Sequence, residues 1–380
     1  MPKRSRDTEL VVSSGPGGDG NMSRSTALTT TPGERSAKRA APGRGGALVE
    51  VPRTSDLFAP IVRLEGHKGA VNGVRFSPDG QNLASVSADK TVMLWRVFGE
   101  DCANYGVLEG HTNAVQEGAW TEDGERIVTC SADKSVRVWD CRLGEEVAAR
   151  RDHRAFVNCA AVSALGTVAS GGDDSMLRLW DPREGLRAFA RLKHPFEVTS
   201  CAFSSAATAI PLVHTGSVDG IVRTWDVRKR SVLFQMEAPE DAPAGVVTGV
   251  SCSEGDDVLV TNDSSGAVRT WDARPFAGNR AEGASRLKQS LVAHTGTPPL
   301  PNKSMLLLRC DVSRSQDRAT AGSSGSVVHV WSLDSGEVEF ALPGHRGPIL
   351  DSRFHPSQPI VASCSVDKCI FLGELDRRDI

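Results

Sequence analysis

Aromatic side chains are scarce: the 380 residues hold one tyrosine, 12 phenylalanines and 7 tryptophans, about 5% of the chain. Tight turns are therefore expected to matter more than a core of large rings. No apolar run approaches the roughly 18 to 20 residues that a membrane-crossing helix needs. Met1-Pro2-Lys3-Arg4 leads into polar residues, not the apolar stretch of a secretory signal. A soluble, intracellular protein is therefore expected. The nine cysteines are odd in number and dispersed, with no CxxC pair and no alternation with histidine, which excludes the usual zinc modules. They are expected to be reduced, small apolar residues in strands. Glycine (37) and proline (20) are plentiful, so tight turns dominate and the composition leans all-β. The length allows one large or two ordinary globular domains.

Residues 1–56 consist largely of Gly, Ser, Thr, Pro, Ala and Arg, with scarcely an apolar pair to bury. Folding there could not offset the loss of backbone entropy, and a disordered tail is expected. It carries nine basic and six acidic side chains, a net of +3, which leaves the remainder at −6. The cluster Pro2-Lys3-Arg4-Ser5-Arg6 reads either as a nuclear import address or as plain solvated tail.

From residue 57 a self-similar unit recurs. Its clearest copy runs Gly66-His67, Phe76-Ser77-Pro78-Asp79-Gly80, Leu83-Ala84-Ser85, Ser87-Ala88-Asp89-Lys90 and Val92-Met93-Leu94-Trp95. Intervals between successive unit tryptophans (Trp95, Trp139, Trp180, Trp225, Trp271, Trp331) are 44, 41, 45, 46 and 60 residues. A seventh unit ends at Gly373, six residues after Asp367, as Trp95 follows Asp89. Within each unit short alternating segments such as 70–77, 82–88 and 91–97 read as strands between turns. These Gly-His and Trp-Asp signatures resemble the WD40 repeat family, which implies an all-β, seven-bladed WD40 β-propeller over residues 57–380. The chain runs out after the third strand of the last unit. Ile61 to Leu64 are expected to pair with the strand around Ile370 to Leu372, so that the N-terminal strand completes the last blade.

A His, a Ser, an Asp and a Trp in one unit suggest a nucleophilic triad, but a catalytic set needs one copy in one pocket. Here the set repeats: His67, Asp89 and Trp95; His111, Asp133 and Trp139; His153, Asp174 and Trp180; His194, Asp219 and Trp225. The resemblance implies a structural hydrogen-bond network through these residues, extending to Trp271, Trp331, His345 and Asp367. Catalytic, cofactor-binding and metal-binding residues are not expected. The fifth unit has Ser265 in place of the Asp, the sixth has Gly325 and Trp331-Ser332, and the seventh has Gly373 in place of Trp. Pro275 to Lys303 is expected to be an extended loop. Arg137, Arg178, Arg223 and Arg269, each two residues before a unit Trp, are read as packing and local pairing, not as a nucleic-acid surface. The acidic body carries no zinc finger, RNP-type or Gly-rich phosphate motif, which disfavours sequence-specific RNA reading.

Several stretches fall outside the repeat consensus: 98–105, 271–277, Leu307-Leu308-Arg309-Cys310, Leu342-Pro343-Gly344-His345 and 354–360. Together they resemble the WD-repeat subunit family of the U5 small nuclear ribonucleoprotein. That likeness implies a non-catalytic interaction scaffold in pre-mRNA splicing, located in the nucleus and bound to the particle's large central protein and other spliceosomal proteins. Association with U5 RNA would be indirect, with no membrane, cofactor or small-molecule substrate. The alternative is a substrate receptor of a cullin-type ubiquitin ligase, suggested by four W-D-x-R runs ending at Arg142, Arg183, Arg228 and Arg274.

Overall fold

A computed structural model describes residues 26–27, 54–99, 102–204, 211–239, 245–255, 257–274, 285–292 and 306–375. Its strands fall into seven antiparallel sheets, six of four strands and one of five. The first blade shows how a unit is built. Val71–Phe76, Asn82–Ser87, Thr91–Arg96 and Asn104–Glu109 pair in chain order from the hub outward. Ser77-Pro78-Asp79-Gly80 turns the chain between the first two strands, with Gly80 at φ +73°. A Cβ there would lie 2.4 Å from the His355 ring, so only glycine fits. The next turn places Lys90 at φ +75°, in the left-handed region. Lys134, Ser175, Gly220, Gly266 and Lys368 repeat that conformation at the same place in other blades. Asp89 compensates for this strain by accepting from Thr91 N at 3.0 Å and Thr91 Oγ1 at 2.6 Å.

Both faces of every blade are apolar, so the core is a circle of seams between neighbours. Inner strands adjoin in cyclic order, and Ile349–Phe354 of blade seven lies beside Val71–Phe76 of blade one. The ring closes as the sequence leads one to expect. Ile61, Val62, Arg63 and Leu64 pair antiparallel with Gly373, Leu372, Phe371 and Ile370. Val62 and Leu64 sit in one buried cluster with Trp95, Ile360 and Leu372, which joins the two ends of the chain to the first blade.

Four expectations require correction. The tail boundary falls earlier than residue 57: Thr54 N and Oγ1 donate to Glu374 Oε1 at 2.7 and 2.6 Å, and Asp56 exchanges hydrogen bonds with the Gln358 side chain. Polar pairing, which the apolar pattern does not register, orders this stretch. Thr26–Ala27 also lie within the segment expected to be disordered, yet they pair with Arg63 and Val62 as a fifth strand on blade seven; the rest of the tail lies outside the described residues. Leu287–Val292 is the outer strand of blade five, so 275–303 is not one loop. The strand is held by Leu291, which is fully buried against Val260 and Val268. Pro275 to Ala284 and Ala293 to Lys303 lie outside the described residues. Finally, all nine cysteines are free, but Cys102, Cys141 and Cys369 lie outside strands.

In blades one to six the outer strand carries a register shift beside the blade tryptophan, which leaves one residue bulged outward: Tyr105, Val147, Phe189 and Leu233 in blades one to four. Bulges of this kind re-aim a side chain.

Candidate functional site: the blade networks and an ionic hub

In blade one Trp95 Nε1 donates to Ser85 Oγ at 2.9 Å. His67 Nε2 lies 2.8 Å from the same oxygen and His67 Nδ1 lies 2.9 Å from Asp89 Oδ2. The proton positions follow from valence. An indole only donates and a carboxylate only accepts, so Ser85 Oγ accepts from Trp95 and His67 Nδ1 carries a hydrogen towards Asp89. Blade two repeats the chain through Trp139, Thr129, His111 and Asp133, and blade three through Trp180, Ser170, His153 and Asp174. In blade seven His345 joins Ser363 and Asp367, both at 3.0 Å, and Phe371 sets its ring edge against His345 where others have a tryptophan.

Burial raises the Asp174 pKa, but hydrogen bonds from His153, Arg154 N and Arg178 outweigh it and hold the carboxyl at about 2. Asp89 and Asp133 are likewise held below the usual carboxylate range against the effect of burial, chiefly by His67 and His111.

The remaining units depart from the pattern, and each departure has a cause. His194 and Asp219 are not joined: His194 Nδ1 bonds the Phe196 carbonyl at 3.0 Å, and Asp219 pairs with Arg223 at 2.6 Å. In blades one, two, three and seven the residue after the histidine donates its backbone N–H to the Asp. Blade four has Pro195 there, which has no N–H to give. Trp225 still donates to Thr215 and Trp271 to Thr261. In blade five Asp263 takes over the turn, accepting from Ser265 N, Ala267 N and Arg269. Trp331 is buried, but its Nε1 has no partner among the described residues, because Ala321 stands ten residues earlier where the other five tryptophans find a hydroxyl. The repeated arginines pair locally, Arg178 with Asp174, Arg223 with Asp219 and Arg269 with Asp263. In the W-D-x-R runs the Asp accepts the backbone N–H of the arginine, as Asp140 does from Arg142 at 2.9 Å, and so caps its own turn.

Sequence reasoning missed the centre of the ring, where charged side chains from the inner strands meet out of water. Glu117 of blade two accepts from Arg75 of blade one at 2.5 Å and pairs with Arg309 of blade six at 3.1 Å. Arg309, 3% exposed, crosses the centre and donates to the Asn158 carbonyl of blade three at 2.6 Å and the Thr199 carbonyl of blade four at 3.3 Å. Asp351 of blade seven accepts from Val74 N and Arg75. Arg353 donates to the Cys310 carbonyl and pairs with Asp311, which also accepts from Ser251 of blade five. All seven blades thus share one polar cluster. Burial pushes Asp351 up to about 7 despite the adjacent Arg75, and Asp311 up to about 6. Arg353 Nε lies 2.8 Å from Asp351 Oδ1 but off its donor axis, which leaves that oxygen without a hydrogen bond.

The cluster floors two cavities at opposite mouths of the ring. One, of about 400 Å³, is lined by Asn158, Asp173, Glu197, Phe156, Leu307 and Arg309. The other, of about 380 Å³, includes Arg75, Asp311 and Arg353 in its wall. Two of the non-consensus stretches also meet: His355 packs edge-on against Phe76 and Phe98 and lies 3.0 Å from the Gly80 carbonyl, which locks blade seven to blade one.

Comparison with known proteins bears on both the repeat and the non-repeat features. The WD domain, G-beta repeat family matches residues 58–96, 103–140, 144–181, 189–226 and 336–372. The chain belongs to the WD40 family. Blade five and most of blade six fall outside the matched spans, the WD40 units in which Asp263 replaces the His-Asp pair and Trp331 has no partner. Among WD40 proteins, the U5 small nuclear ribonucleoprotein 40 kDa protein of Bos taurus is 38% identical over 342 residues, 89% of each chain. The Homo sapiens protein of that name is 38% identical over 334 residues, 87% of this chain and 88% of its own. The pre-mRNA-splicing factor cwf17 of Schizosaccharomyces pombe is 32% identical over 326 residues, 85% of this chain and 90% of its own.

Proposed function

We propose that this WD40 protein is a non-catalytic scaffold of the U5 small nuclear ribonucleoprotein, acting in nuclear pre-mRNA splicing and docked on the particle's large central protein. The observation that carries the reading is the continuous 38% identity to the bovine U5 40 kDa protein over 89% of each chain. The non-consensus stretches support it, since they supply Arg309 at the hub and His355 at the closing seam. A scaffold also suits the chemistry. The histidines of blades one, two, three and seven have both ring nitrogens engaged, so they have no free acceptor to offer a substrate. A ring tied at every seam presents its loops without reorganising its backbone, and a partner needs about 1,200–2,000 Å² of them for a specific interface. Phe156, 47% exposed in the wall of the cavity that Arg309 lines, and Phe196, 49% exposed and next in sequence to its wall residue Glu197, are the anchors expected to enter that interface.

Tagged protein recovered from nuclear extract is expected to bring down U5 RNA together with a large protein of the particle. Stable association with the RNA runs through that protein. Recovery of neither rejects the assignment.

A further inference from the structure

The outer strand of blade three, Arg187–Lys193, alternates sharply between its two faces. Ala188, Ala190 and Leu192 turn inward, while Arg187, Phe189, Arg191 and Lys193 are exposed. No other described outer strand has such a row: blade one shows Tyr105, Val107 and Glu109, blade four Ser231, Leu233 and Gln235, and blade six Val338, Ala341 and Pro343. The neighbouring joint adds exposed Arg150, Arg151 and Arg154. Arg150 reaches across from blade two, its Nη2 3.5 Å from where a Cβ on Gly185 would sit. Among the described residues one carboxylate, Asp152, answers this charge, 3.6 Å from Arg191. Arg154, Arg187 and Lys193 have no ion-pair partner among the described residues. The body around this patch is acidic, so the patch is a local reversal of sign.

We propose that this rim is a sequence-independent contact for single-stranded RNA, with phosphates on Arg150, Arg154, Arg187, Arg191 and Lys193 and an unstacked base on Phe189. Cations on an edge strand guard it against pairing with another sheet, but that role requires neither an exposed phenylalanine among them nor arginines from the next blade. The bulge that throws Phe189 outward, 42% exposed and flanked by arginines, forms a stacking platform within a basic track. An acidic protein is the lesser fit, because interface cores gather apolar residues and shed lysine, and this row has one apolar member. The proposal draws on the U5 reading only for the presence of RNA nearby.

The test uses the purified full-length chain and a labelled uridine homopolymer, with binding followed by anisotropy between about 50 and 200 mM salt. Affinity should fall with salt by about 0.7 log units per log unit for each phosphate neutralised. The variant Arg187→Gln/Arg191→Gln/Lys193→Gln, with an unchanged melting temperature, should make that slope shallower by about 2. Phe189→Ala should weaken binding about ten-fold and leave the slope alone. Unchanged affinity and slope in the triple variant would place any binding on the basic tail or elsewhere and overturn the proposal. Capture of polyglutamate in place of RNA would overturn it in favour of an acidic protein. The purified chain is assayed alone, so the result is independent of whether U5 RNA co-purifies from extract.

Discussion

In blades one to four a single hydroxyl holds two buried rings in place, and the molecule contains its own control. Ser85, Thr129, Ser170, Thr215 and Thr261 each accept from the tryptophan ten residues later, and the first three also bond a histidine at 2.8 Å. Replacing Thr129 by Val keeps the shape and strands Trp139 Nε1 and His111 Nε2 in a water-free seam. An unpaired buried polar group costs about 1–3 kcal/mol, so a loss of about 3 kcal/mol is expected from denaturant unfolding. Blade six is the reverse case, because Ala321 leaves Trp331 Nε1 without a partner. Ala321→Ser should restore the bond and stabilise the protein by about 1 kcal/mol, visible as a higher melting temperature. A fall in both variants would show that the site cannot admit an oxygen.

At the scale of strands, closure of the ring is the feature most open to mutation. Leu64 is 1% exposed in the seam with Ile370 and Leu372, whereas Ile61, on the same strand, is 42% exposed. Leu64→Ala should therefore cost about 3 kcal/mol and Ile61→Ala less than about 0.5 kcal/mol, measured by thermal melts. Equal effects would mean that the strand does not close the ring. This strand was legible in the sequence, because a unit short of one strand at the C terminus and a spare strand at the N terminus are both visible against a repeat. The repeated set was legible for the same reason, but it was expected to extend through His194 and Asp219, and the repeat gives no warning that Pro195 withholds the N–H that the other blades donate to the Asp. The strand Leu287–Val292 was hidden by the polar, proline-bearing residues around it, which disguise its Leu287 and Leu291 alternation. The hub was illegible on physical grounds. Arg309 and Glu117 are 192 positions apart and neither recurs at its position in the other units, so no periodicity marks them as partners.

Taken as a whole, the ring is held by apolar seams at every joint and by one charged cluster that spans them. The cluster sets the molecule's response to charge. Removing one member of a buried ionic group commonly costs about 3–5 kcal/mol, while removing both partners costs far less. Arg309→Met should thus destabilise strongly, and Glu117→Gln added to it should recover part of the loss, a coupling that a double-mutant cycle reads directly. Asp351 adds a dependence on pH whose sign is fixed by its surroundings. Its folded-state pKa of about 7 lies above the unfolded value near 3.8, so the folded protein keeps the proton longer. Its contribution to stability is complete below about pH 4 and is lost as the pH rises towards 7. His194 and His214, lowered to about 4 by burial, act the other way over much of the same range, so the wild-type curve alone mixes the two effects. The difference between wild type and Asp351→Asn separates them, because every other group is common to both proteins. Relative to the variant, the wild type should lose melting temperature steadily between about pH 4 and 7. A constant difference across that window would mean that Asp351 is ionised throughout, and that Arg75 and Arg353 outweigh its burial.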